Sequence, residues 1–176
     1  GTGGVMRTAG MVVLAAALAA ELLTAAQKPG RANEAGLPFL TWIGPQEYGA
    51  ATQVWSLGQD GRGLLYAGTS YGAVEYDGTG WRPVPTPHNG LVRSMARGPD
   101  GRMYVGENGD FGYLEPDERG EMKFVSLAAY LPSEERDFQD VLRVAAAPEG
   151  TYYLTLRRLF RLTREGKGWR VTVWKA

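Results

Sequence analysis

The chain has 176 residues, with 19 Lys plus Arg against 19 Asp plus Glu, 25 glycines and no cysteine. A formal net charge of zero excludes the basic stripe of a nucleic-acid footprint, and the lack of thiols excludes disulfides, Cys-ligated zinc and a cysteine nucleophile. Glycines set between short apolar runs indicate an all-β chain of many short strands.

In chain order, the first feature is an apolar stretch. Arg7 precedes the alanine-rich run 9–20, Glu21 interrupts it, and Thr24-Ala25-Ala26 supplies small residues. A basic residue, a short apolar core and a small-residue cleavage site compose a secretory signal peptide. Residues 1–27 are therefore expected to be a helical signal peptide cleaved after Ala26, which places the protein in a bacterial periplasm. An uncleaved anchor is the alternative, opposed by Glu21 and by the weak apolarity of alanine. Residues 28–45 are rich in Gly, Pro, Ala and Asn, carry no periodicity and are expected to form a linker.

A pattern then recurs. Val54, Val92 and Val141 are each followed nine residues later by a glycine (Gly63, Gly101, Gly150) and twelve later by a tyrosine (Tyr66, Tyr104, Tyr153). The copies start 38 (92 − 54) and 49 (141 − 92) residues apart, the spacing of propeller blades. Each copy offers four short runs: 53–57, 64–68, 73–76 and 81–84; then 92–96, 102–106, 111–115 and 122–126; then 141–145, 151–155, 158–162 and 169–174. Asp60-Gly61, Asp77-Gly78, Asp100-Gly101 and Glu149-Gly150 are expected to supply the positive-φ glycines of tight hairpins. The expected fold is a partial β-propeller over residues 46–176. Its four-stranded antiparallel blades span about 46–88, 89–127 and 138–176, and 128–137 is an insertion with a helical turn on each side of Pro132. Propellers typically close with about four to eight blades, so three predict an incomplete ring. Trp81 and Trp169, in last strands, are expected to pack between sheets. Trp55, in an innermost strand, is expected to face the next blade or the central channel.

The run Gly63-Leu64-Leu65-Tyr66-Ala67-Gly68-Thr69 with its later Tyr76-Asp77-Gly78 turn, and the segments 48–63 (YGAATQVWSLGQDGRG) and 105–120 (VGENGDFGYLEPDERG), resemble the two-component regulator propeller family. The resemblance covers roughly residues 46–176. Blade three departs from it, with Arg157-Arg158-Leu159-Phe160 where a Gly-Leu pair is usual. The resemblance implies a periplasmic sensor module of bacterial histidine kinases or diguanylate cyclases. In that family a β-sandwich, a transmembrane helix and a cytoplasmic signalling domain follow the propeller. After the repeats this sequence holds no spanning apolar helix, kinase ATP motif or cyclase signature. The expectation is the amino-terminal part of such a receptor, whose partners are its remaining blades and signalling domains. Contact with the membrane would run only through the downstream segment.

The chemistry-bearing residues point to binding rather than catalysis. His88, the only histidine, lies in the turn Pro85-Thr86-Pro87-His88-Asn89-Gly90 and cannot by itself assemble a zinc site. Asp60, Asp77 and Asp100 precede glycines, where aspartate serves turn geometry. Glu107 and Asp110 flank one tight turn, too few ligands for calcium, and no Gly-x-Ser-x-Gly motif occurs. No metal, cofactor or catalytic residue is expected in this segment. In an up-and-down blade the second-to-third loop and the blade-to-blade loop share one rim. Ser70, Tyr71, His88, Asn89, Asn108, Asp110, Gln139, Asp140 and Arg157 are therefore the candidate ligand-binding residues, on varied loops over a rigid scaffold. Their mix of aromatic, amide, carboxylate and guanidinium groups suits a small polar ligand such as a carbohydrate. The expected function is non-enzymatic ligand sensing. The alternatives are an extracytoplasmic scaffold that binds protein or polysaccharide, and a propeller lyase or hydrolase completed by further blades.

Overall fold

Short runs of alternating side chains, punctuated by Asp-Gly turns, fold back on themselves strand after strand. The computed structural model describes residues 41–49 and 53–175; the expected signal peptide and the linker up to residue 40 lie outside them. Twelve strands form three antiparallel sheets, each in simple up-and-down order. Sheet 1 holds β1 (Val54–Gln59), β2 (Leu65–Thr69), β3 (Gly72–Tyr76) and β4 (Trp81–Val84). Sheet 2 holds β5 (Ser94–Arg97), β6 (Met103–Glu107), β7 (Asp110–Pro116) and β8 (Met122–Ser126). Sheet 3 holds β9 (Arg143–Ala147), β10 (Gly150–Leu154), β11 (Arg158–Glu165) and β12 (Gly168–Lys175). The predicted runs match all twelve, two of them at both ends and the rest within three residues.

The first strands β1, β5 and β9 are neighbours, and the sheets stack face to face behind them. Alternation divides each strand between two interfaces. Between sheets 1 and 2 lie Tyr66, Ala73, Met103, Val105 and Leu114. Between sheets 2 and 3 lie Tyr104, Phe111, Val144, Tyr153, Phe160 and Leu162. Phe111 stacks on Tyr153 at 4.3 Å between ring centroids. The insertion adds to this second core. It makes short 3-10 turns at Ala128–Tyr130 and Ser133–Glu135, on either side of Pro132 as expected, and buries Leu127, Leu131 and Phe138.

β5 and β9 begin two residues later than the sequence predicts, because Val92 and Val141 serve the sheet before them. The Val92 amide donates to the Thr69 carbonyl at 2.9 Å. Val141 sits so close to Gly106 that a Cβ there would lie 2.4 Å from its Cγ1. At Gly68 a Cβ would lie 2.5 Å from the Val92 carbonyl oxygen. These two glycines are the seats for the incoming first strand of the next sheet.

The third repeat is out of step with the sequence reading. The second hairpins turn at equivalent places, Thr69 to Gly72, Glu107 to Asp110 and Thr155 to Arg158. Gly68 pairs Ser56, Gly106 pairs Ser94, and Leu154 pairs Arg143. Counting back from the turn, Tyr152 and not Tyr153 is the counterpart of Tyr66 and Tyr104. The cause is the first hairpin of sheet 3, which encloses only Pro148 and Glu149, where sheets 1 and 2 enclose 60–64 and 98–102. Those longer loops fold around an aspartate. Asp60 accepts the Arg62 and Leu64 amides and the Tyr66 hydroxyl, and Asp100 accepts the Arg102 amide and the Tyr104 hydroxyl. Sheet 3 has no such aspartate. Positive φ falls on Gly78, Gly101 and Gly150 as expected, but on Gly63 rather than Gly61, because Gly63 holds the fourth place of its five-residue loop, as Gly101 does in the next sheet.

The face of sheet 1 turned away from sheet 2 is covered by a single helical turn, α1 (Pro45–Tyr48), in a stretch read as linker running into the first blade. Pro45 starts it, the Glu47 carboxylate accepts the Gly44 amide at 3.0 Å, and Gly49 ends it at φ 64°. Ile43 and Tyr48 pack on Ala67, Val74 and Trp81. Trp81 therefore lies on the outer face, stacked on Tyr76, and not between sheets. Trp169 does pack into the core between sheets 2 and 3. Among the described residues no helix is long and apolar enough to cross a membrane.

Candidate ligand-binding site

Up-and-down order sends the β2–β3, β6–β7 and β10–β11 turns to the same end as the connections between sheets. Backbone hydrogen bonds tie these loops together. Gly72 donates to Gly90 at 2.7 Å, Asn108 to Leu91 at 3.1 Å, and Gly109 to Gln139 at 3.1 Å. Arg158 Nη1 reaches the Asp137 carbonyl at 2.5 Å.

On this base a line of polar groups runs from sheet 1 across sheet 2 to the connection that leads into sheet 3. Trp55 Nε1 donates to Ser70 Oγ at 3.0 Å. The Arg93 guanidinium lies 5.0 Å from the centroid of the Trp55 ring, a cation–π distance. Arg93 Nη2 pairs with Asp140 Oδ2 at 3.3 Å. Asn108 Nδ2 donates to Asp140 Oδ1 at 2.6 Å. Trp55 keeps 41% of its surface exposed, so the ring is open as well as anchored. Trp55, Arg93 and Leu142 stand at one repeat position, each just before the residue that pairs into its own second strand (Ser56, Ser94, Arg143). Arg93 is absent from the residues singled out by loop position, although the repeat register alone aligns it with Trp55.

Beside Asp140 opens a groove of about 400 Å3, lined by residues 137–140, Leu142 and residues 155–158. The nine sequence candidates divide accordingly. Ser70, Asn108 and Asp140 join the polar line, and Gln139, Asp140 and Arg157 line the groove. Tyr71 and Asn89 lie apart, on a hollow of about 340 Å3 against the outer face of sheet 1. His88 rests against Gly109.

Asp110 is not at the surface. It is buried, and its Oδ1 accepts the Phe111 amide at 2.6 Å and the Ser126 hydroxyl at 2.8 Å. Burial pushes its carboxyl pKa up, opposed by those two hydrogen bonds and reinforced by the Glu107 charge. Glu107 is fully buried too, and its Oε1 accepts the Thr86 hydroxyl at 2.6 Å and the Gly90 amide at 2.7 Å. Glu107 therefore binds the connection at Thr86 and Gly90 to sheet 2, Asp110 ties β7 to the end of β8, and neither faces an open site. Among the described residues no three of His, Cys, Asp and Glu are grouped to hold a metal ion.

A hollow of about 520 Å3 at the opposite end is larger, but its charges are already matched. Arg62 pairs with Asp60 at 2.8 Å, and Arg102 pairs with Asp100 at 3.1 Å. The loop end, with the open Trp55 indole and an Arg157 guanidinium unpaired among the described residues, is the better candidate. No model of a known family matches the chain, and a search of curated proteins finds no similar one.

Proposed function

We propose that this chain is the amino-terminal part of a non-enzymatic, ligand-sensing β-propeller in an exported bacterial receptor, coupled to a histidine kinase or diguanylate cyclase output. Its ligand is a small polar molecule taken at the loop end. The observation that carries the reading is the line from Ser70 and Trp55 through Arg93 to Asp140 and Asn108, which joins sheets 1 and 2 to the connection into sheet 3 and borders an open groove. An indole beside fixed amide, carboxylate and guanidinium groups offers one apolar face and several directional hydrogen bonds, as a polar ligand with carbon–hydrogen faces requires. Ligand contact there would draw sheets 1 and 2 and the connection into sheet 3 together, which is what a sensor must pass on. Thermal-shift screening and titration calorimetry with sugars, sugar acids and amino acids test it. At least one compound should raise the unfolding midpoint, and Trp55→Ala and Arg93→Ala should each weaken it about tenfold or more, with circular dichroism unchanged. Full affinity in both variants would remove the site.

A docking scaffold is the second reading, favoured by one feature: sheet 3 turns Leu154, Leu159 and Trp174 outward in a paired row. Binding of a protein partner abolished by Trp174→Ala and indifferent to Trp55→Ala would select it.

A further inference from the structure

The groove beside Asp140 gathers its free donors in one turn. Of its charged residues, Asp140 is engaged by Arg93 and Asn108. Arg158 is paired with Glu135 at 2.7 Å, but Glu135 also meets Lys175 at 2.5 Å. The Lys175 and Arg158 charges together hold the Glu135 carboxyl below its usual range. Arg158 is thus engaged behind the groove, where Glu135 is shared with Lys175. Arg157 and Asp137 remain, and neither side chain has a hydrogen-bond or ion-pair partner among the described residues.

Turn geometry explains why Arg157 is free. In the β10–β11 turn the Thr155 hydroxyl donates to the Arg158 carbonyl at 3.1 Å, and its oxygen accepts the Arg158 amide at 3.0 Å. In the β2–β3 turn Thr69 likewise donates to Gly72, and its oxygen accepts the Tyr71 amide. The threonine closes the turn, so the Leu156 and Arg157 amides have no hydrogen bond among the described residues. Leu156 is 80% exposed at the lip, and Leu142 forms part of the wall. The lip therefore presents a guanidinium fork, two amides unpaired among the described residues, and apolar surface.

We infer that Arg157 and the Leu156–Arg157 amides form an oxyanion subsite, so that the sensed ligand carries a carboxylate or phosphate group. This rests on the ligand-sensing reading and narrows it. A guanidinium binds such groups through paired, charge-assisted hydrogen bonds, and successive turn amides add fixed partial positive charge. Asp137 opposes the anion and so tunes the affinity.

The probes are glucuronate, glucose 6-phosphate and glucose, titrated against the full 15N-labelled chain and followed at the Arg157 side-chain and Leu156–Arg157 amide resonances. Either anion should move these signals saturably and bind about tenfold more tightly than glucose. Arg157→Gln should bring anion affinity down to that of glucose, and Asp137→Asn should raise it about two- to threefold. Response to glucuronate alone assigns a carboxylate, and to glucose 6-phosphate alone a phosphate. Equal affinity for glucose and glucuronate would overturn the inference while a neutral-ligand sensor stood. So would anion affinity unchanged in Arg157→Gln, or Arg157 signals unmoved by both anions at tens of millimolar.

Discussion

At the scale of single residues, buried charge sets the most distinctive expectation. Asp110 accepts both of its hydrogen bonds at Oδ1, so Asp110→Asn keeps an acceptor there and removes only the charge. Burial and the neighbouring Glu107 raise the folded-state pKa of Asp110 above its ordinary 3.8, against the pull of Ser126, Phe111 and His88. A raised pKa means that the folded protein holds the proton more tightly than the unfolded chain. The favourable contribution is complete below the ordinary value and is lost as pH rises through the folded one. The Asn variant should therefore melt above the wild type at pH 7, and the gap should close as pH approaches 4. Thermal melts across that range check it; a gap that widens on acidification would reverse the assignment. None of this was visible in the sequence, where Glu107-Asn108-Gly109-Asp110 reads as a polar surface turn. The turn is there, but the 85–93 connection lies over it and buries its ends, and only the stacked fold places that connection. The same reason hid Arg93. The repeat aligns it with Trp55 as a strand residue, but only the stacked sheets show that it lies over that ring.

At the scale of elements, the strands were legible because their causes are local. Alternation and Asp-Gly turns act within a few residues, and the two short 3-10 turns around Pro132 follow from proline itself. Register in sheet 3 was not legible, because Tyr152 and Tyr153 adjoin and only the length of the Pro148-Glu149 hairpin decides between them. The helical turn α1 was lost in a Gly/Pro-rich stretch too short for periodicity. What the repeat does encode is the seat between sheets. Gly106 leaves room for Val141, and a Cβ would stand 2.4 Å from Val141 Cγ1 and 2.7 Å from its Cβ. Gly106→Ala should destabilise by about 1–3 kcal/mol, the range for overpacking a close contact. Pairing it with Val141→Ala should recover part of that loss, because the smaller side chain vacates the space the new methyl needs. A double-mutant cycle by urea denaturation measures the coupling. Strictly additive effects would show that Gly106 does not seat Val141.

At the scale of the whole molecule, the two end faces differ, where the repeat alone suggests two equivalent open ends. On sheet 1, Ile43 and Tyr48 cover Ala67, Val74 and Trp81, and a cap of this kind closes a stack of repeats. On sheet 3 the outward row is Arg143, Leu154, Leu159 and Trp174, with Tyr152 and Arg161 in the next. Leu154 and Trp174 remain 41% and 44% exposed, and Arg161 lies 5.6 Å from the centroid of the Trp174 ring. Leu154 occupies the position held by Gly68 and Gly106, so another first strand cannot seat here as Val92 and Val141 seat on sheets 1 and 2. The face is apolar, open and differently shaped. Contiguous exposed apolar surface drives association. A molecule with one sticky face and one capped face closes on itself by two-fold symmetry, since the same patch serves both partners. Residues 28–176 expressed alone should therefore form dimers rather than extended aggregates. Leu154→Lys and Trp174→Lys should each shift the protein to monomer, because a lysine on a two-fold face meets its own copy across the interface. Sedimentation velocity over a hundredfold concentration range decides it. A monomer at every concentration would show that Arg161 and its neighbours already satisfy this face. Open-ended polymers would show that the cap over sheet 1 fails.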